Sequence, residues 1–262
     1  MRKAALFFVI LALAGQVSAG PPGGIDDASY AQTLKKYVNE RGQVNYIALK
    51  RDHAGLDKFI QEISVVSPAN APQVFPTRDE QLAYWINAYN ASILKIVMEH
   101  YPVKSITRIG LIPFSAFYLE HVVLGGTSLT LNALETGILR SEFHDPRIHF
   151  AINCASRSCP PLSRHVYRAA TLDPQLNSAA RNFVNDNLNV TLDEGQHRIV
   201  LSRIFKWYAG DFESAVPPRA HQEPTVLDYL QPYLTPQRKV VLSHLKGAVV
   251  SYHSYDWSLN SQ

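Results

Sequence analysis

Two cysteines stand five positions apart in Asn153-Cys154-Ala155-Ser156-Arg157-Ser158-Cys159-Pro160-Pro161, and His149 lies five residues before the first. Three chemistries fit this set. In an oxidising compartment the pair would close a tight disulfide loop, worth about 2 kcal/mol by the chain-entropy estimate. Alternatively, Cys154 is a nucleophilic thiolate and His149 its base. The third reading is a pair of metal ligands, which needs partners that no nearby spacing supplies.

A nucleophilic couple also needs a carboxylate to orient the imidazole, and Glu80 and Asp256 are the candidates. Glu80 reads equally as the glutamate of a helix capping box, and Asp256 as part of a surface turn. Asn87, Asn90 or Asn153 could donate to an oxyanion. Histidines at i, i+4 are absent, as are a phosphate loop, a dinucleotide fingerprint and a Gly-x-Ser-x-Gly elbow. Neither a metal nor a cofactor is therefore expected.

The elements that must position these residues are partly visible. Thr77 and Glu80 open the strongest helix, in which Leu82, Trp85, Ile86, Tyr89, Ile93, Ile96 and Val97 form one apolar stripe. Its other face carries Glu80, Tyr84, Asn87 and Asn90. Amides and a phenol are costly to bury unpaired, so this face predicts a hydrogen-bond network or the lining of a cleft. Further helices are predicted over Ala28–Tyr37, Leu56–Ile63, Asp173–Asn187, Ile204–Phe212 and Val226–Leu234, with another from Thr130 or Asn132 to Arg140. Hairpins are predicted around Gly125-Gly126-Thr127 and Glu194-Gly195, and a last strand over Val249–Tyr252.

Ile148–Ile152 reads as a strand entering the cysteine segment. On a continuous strand His149, Ala151 and Asn153 share one face while Cys154 lies on the other, so Cys154 meets His149 only if the strand ends near Asn153. The whole pattern predicts a helix-rich α+β domain packed on a small antiparallel sheet.

Composition narrows the function. Of 262 residues, 46% are apolar and 18% charged, which excludes a disordered chain. Arg2 and Lys3, the apolar run Ala4–Ala14 and the small residues Val17-Ser18-Ala19 make an export leader over residues 1–19, leaving residues 20–262 as one globular domain. Removing those two cations takes the formal charge from +3 to +1, so no nucleic-acid partner is expected. No later segment approaches the roughly 20 apolar residues needed to span a bilayer, so no integral membrane segment is expected in the mature chain. Its location would be the periplasm or the extracellular space.

Several segments together resemble domain-of-unknown-function family 547. They are Glu80 with Tyr84-Trp85-Ile86-Asn87-Ala88-Tyr89-Asn90, Asp145 through Cys154, and Ser158-Cys159-Pro160-Pro161. Leu201 through Tyr208 with Asp211-Phe212, and Tyr255-Asp256-Trp257, continue the likeness, which covers roughly Phe75 to the C-terminus. The resemblance implies a module often exported in bacteria. It also implies that the second cysteine is dispensable, since some plant members lack it.

Two functions follow as expectations, beside redox work by the cysteine pair, whose four-residue spacing departs from Cys-x-x-Cys. One is a thiol-dependent acyl-transfer enzyme with Cys154 as nucleophile, His149 as base and Glu80 or Asp256 as orienter, on a papain- or transglutaminase-like fold by analogy. Its histidine would precede its cysteine, the reverse of the papain order. The other is a non-catalytic module that binds a ligand or partner protein through Tyr84, Asn87, Asn90, Asn153 and Asp256, stapled by a Cys154–Cys159 disulfide.

Overall fold

A computed structural model describes residues 25–217 and 223–262, so the leader of residues 1–19 lies outside the described part. Helix Arg78–His100 runs through the larger of two apolar cores, with helices Ala28–Tyr37 and Ala54–Val65 against it. The capping box predicted at its start is present: Thr77 accepts from the Glu80 N–H, and the Glu80 carboxylate accepts from the Thr77 N–H. The predicted apolar stripe is buried throughout. A smaller core forms around Phe150, Phe183, Phe205 and Phe212.

Strands β1 (His121–Leu124) and β2 (Thr127–Thr130) make the first predicted hairpin. Strands β3 (Val190–Asp193) and β4 (Arg198–Leu201) make the second, and β5 (Val249–Tyr252) joins β4 in parallel, so this sheet is mixed rather than purely antiparallel. Among the described residues no helix is long and apolar enough to cross a membrane.

The strand expected over Ile148–Ile152 is instead a single helical turn, Ile148–Ala151. Its cause lies just upstream, at Asp145-Pro146. The Asp145 side chain accepts from the Arg147 N–H at 3.0 Å, and the N–H groups of Ile148 and His149 reach the carbonyls of Asp145 and Pro146. Proline at that point presets a helical φ, and the turn closes before strand pairing can begin. Arg147 then ties the turn to helix Leu172–Asn185 through Asp173 and Asn177. Alternation between strand faces therefore does not govern His149 and Cys154.

The polar face of the long helix resolves into a network. Asn87 donates to the Tyr167 carbonyl at 2.8 Å and accepts from the Tyr167 N–H. Asn90 donates to the Ala151 carbonyl and accepts from the Asn153 N–H, both at 2.9 Å. The Tyr84 hydroxyl lies 3.1 and 3.0 Å from the carbonyls of Ile63 and Val66 and has one proton to share between them. These side chains hold backbone that has no sheet or helix partner, which is the condition for burying it. Replacing Asn90 with alanine would strand two buried backbone groups. We expect Asn90→Ala to lower unfolding stability by about 2–4 kcal/mol, read from urea denaturation.

Candidate functional site: an aromatic cleft over a disulfide

Between the two cores lies a cavity of about 450 Å³. Eight of its lining residues are aromatic: Tyr89, Phe114, Phe117, Tyr118, Trp207, Tyr208, Tyr255 and Trp257. Trp207, Tyr255 and Trp257 pack on one another with centroids 4.5–5.7 Å apart, and Phe114 stands edge-on to Trp257 at 4.9 Å. Trp207 and Tyr118 remain exposed at the rim.

Two charged residues enter this aromatic surface from one turn. Glu135 and Arg140 begin and end a π-helical turn, Glu135–Arg140, that follows the short helix Leu131–Leu134. Five residues apart in an α-helix they would diverge by about 140° around the axis, whereas an i to i+5 turn brings them to one side. Glu135 accepts from the Tyr208 hydroxyl at 2.6 Å and the Tyr89 hydroxyl at 3.3 Å. Burial raises both phenol pKa values, so both stay protonated as donors. An ionised carboxylate has about four acceptor positions, so Glu135 keeps capacity for a further donor.

His149 is buried beneath the cleft, its ring stacked on Tyr208 at 3.9 Å. Its Nε2 lies 2.8 Å from Asp211 Oδ2, and Arg140 grips both oxygens of the same carboxylate at 2.7 and 3.0 Å. The hydrogen bond from His149, then that from Arg140, holds the Asp211 carboxyl well below the usual carboxylate range. An ionised Asp211 only accepts, so Nε2 carries a proton and Nδ1 is the nitrogen not engaged by it. This is the oriented imidazole that the sequence suggested, with a different carboxylate. Glu80 remains in its capping box, and the exposed Asp256 accepts from the N–H and hydroxyl of Ser258.

Cys154 and Cys159 are joined in a disulfide that lines the same cavity as His149, with no hydrogen bond between them and the imidazole. Asn153 organises their loop. Its Oδ1 accepts from the Ala155 N–H and from Asn260, and its Nδ2 donates to the Pro160 carbonyl at 2.7 Å. Asn87, Asn90 and Asn153 are thus engaged with backbone, and neither they nor Tyr84, Glu80 and Asp256 line the cavity. The structure sets these amides on backbone rather than on the cavity wall.

Residues 74–184 match the family described as protein of unknown function, DUF547. The match to that family is confined to this segment. No curated protein and no solved structure matches it significantly. The DUF547 segment contains Glu135, Arg140, His149 and both cysteines, while Tyr208, Asp211, Tyr255 and Trp257 come from residues beyond it. Asp211 stood in a segment that already resembled the family, Trp207-Tyr208 with Asp211-Phe212. Spacing alone gave it no role, because its partner is 62 residues away.

The Asp211 cluster makes an acid-side prediction. Its stabilising contribution is complete above the ordinary carboxylate range, near 4, and is lost as pH falls below it. Asp211→Asn should be less stable than the wild type at neutral pH, and its melting temperature should fall less steeply between about pH 4 and pH 2. Thermal unfolding across that window checks both.

Proposed function

We propose that this chain is an exported binding module whose aromatic cleft takes a small organic ligand. The observation that carries the reading is Glu135 set within the aromatic wall, with the neighbouring cysteines already bonded to each other. Flat aromatic walls favour ring or aliphatic faces, and a carboxylate within them favours a cationic or hydrogen-bond-donating group. The Arg140 charge is paired with Asp211 through two hydrogen bonds, which leaves the Glu135 charge as the polar feature a ligand would meet. A disulfide persists in oxidising compartments, in keeping with export of the chain.

The test is a size-matched panel of aryl amines, aryl alcohols and aryl carboxylates, followed by ligand-observed NMR. Amines should bind best and carboxylates worst. Glu135→Gln should remove that ranking, and Trp207→Ala should weaken every binder about tenfold. A panel in which nothing binds, or whose ranking survives Glu135→Gln, would reject the reading.

One arrangement favours a second reading. Cys154 and a histidine held by Asp211 border the same cavity, as thiol acyl transfer requires once the disulfide is opened. In Cys159→Ser the remaining thiol is free. Under this reading Cys154 alkylates with an apparent pKa well below about 8.5, and His149→Gln in that background restores the ordinary value. An ordinary pKa with His149 intact would remove acyl transfer from consideration.

A further inference from the structure

The disulfide in the cleft wall is surrounded asymmetrically. Cys159 Sγ lies 2.9 Å from the backbone N–H of Cys154 and 3.2 Å from the Tyr255 hydroxyl, both placed to donate to it. Cys154 Sγ has no backbone donor among the described contacts, and lies 3.1 Å from Ser156 Oγ and 3.3 Å from the same Tyr255 oxygen. A phenol has one proton to give. Ser156 Oγ stands 3.1 Å from the Tyr255 oxygen and can donate to it, which completes a relay from Ser156 through Tyr255 to Cys159. Burial raises the Tyr255 pKa, so its proton stays in place. Both cysteines are only partly buried and both border the cavity.

In exchange between a thiol and a disulfide, the sulfur that leaves is the one whose thiolate is better stabilised. We propose that the Cys154–Cys159 bond is an exchange site for low-molecular-weight thiols entering the cleft. The incoming thiol gives up its proton to solvent, and its thiolate attacks Cys154 Sγ. A new sulfur–sulfur bond forms to Cys154, the Cys154–Cys159 bond breaks, and its electron pair leaves on Cys159. The thiolate on Cys159 is met by the Cys154 N–H and the Tyr255 O–H. Attack by that thiolate on Cys154 runs the step in reverse and releases the thiol, so no other oxidant or reductant is consumed. The site deepens the cleft reading without depending on which organic ligand binds there.

The experiment is to treat the folded mature protein with 2-mercaptoethanol, quench with acid, alkylate free thiols and map the products by mass spectrometry. One mercaptoethanol on Cys154 and one alkyl group on Cys159 is the expected product. Tyr255→Phe, which keeps the ring and removes the donor, should slow its formation about tenfold, and Ser156→Ala by a few-fold. Near-ultraviolet circular dichroism of each variant confirms that the aromatic wall is intact. A disulfide that reacts only after denaturation, an adduct mapped to Cys159, or equal rates in wild type and Tyr255→Phe would each overturn the proposal. Should Tyr255→Phe fail to fold, the position of the adduct in the wild type still decides. Failure here would leave ligand binding in the NMR panel unaffected, so the two proposals fail separately.

Discussion

The structure around the cleft depends on three buried asparagines in contact. Asn90 receives the Asn153 N–H, and Asn153 Oδ1 receives the side-chain amide of Asn260, which in turn accepts from Tyr46. The long helix, the cysteine loop and the last residues of the chain are joined through these bonds. The cysteine loop and the last residues meet in one antiparallel bridge, Ser156 to Leu259, and the amides satisfy buried backbone that this bridge leaves unpaired. They also hold Ala155 at φ 58°, a left-handed conformation that residues with a side chain rarely adopt. Asn153 accepts the Ala155 N–H while the Asn260 N–H takes its carbonyl. The cysteines reach the cleft wall because this bend is held from both sides.

A second constraint is electrostatic. Asp211 is shared by Arg140 and His149, which come from opposite ends of the segment leading into the cysteine loop. Tyr208 lies between them, stacked on the imidazole and 5.0 Å from the guanidinium carbon, and its hydroxyl carries the arrangement on to Glu135. A cation, two carboxylates, an imidazole and a phenol thus stand together, with Arg140 and His149 on Asp211 and only neutral hydroxyl donors on Glu135. Charges next to an apolar core are tolerated when they are paired or hydrogen-bonded.

Much of the scaffold was legible in the sequence because its signals are local. The Thr77–Glu80 cap, the apolar stripe from Leu82 to Val97 and both glycine-centred hairpins depend on residues a few positions apart. Ile148–Ile152 was misread because its apolar content suits a short strand, whereas Asp145-Pro146 had already committed the chain to a turn. The site was legible only in part. His149 and the cysteines could be recognised by residue type, but Asp211 could not be paired with His149 by any spacing rule. Glu135 and Arg140 were hidden by the assumption of 3.6 residues per turn. Asn87, Asn90 and Asn153 drew notice as unusual polar residues, a correct signal that backbone satisfaction explains without a ligand.

The cleft's parts come from widely separated stretches of chain, with Tyr255 about a hundred positions beyond the sulfurs it touches. Timing follows from that separation. While the chain is being made, the cysteine loop and the long helix can meet early, but the wall containing Tyr255 and Trp257 does not yet exist. During that interval the two thiols lack the phenol that later lies against both sulfurs. Oxidation of the pair in the unfinished chain would therefore occur in a different chemical setting from reopening in the finished one. Were the pair joined before the final residues arrived, those residues would act as a late cover that changes the reactivity of the bond.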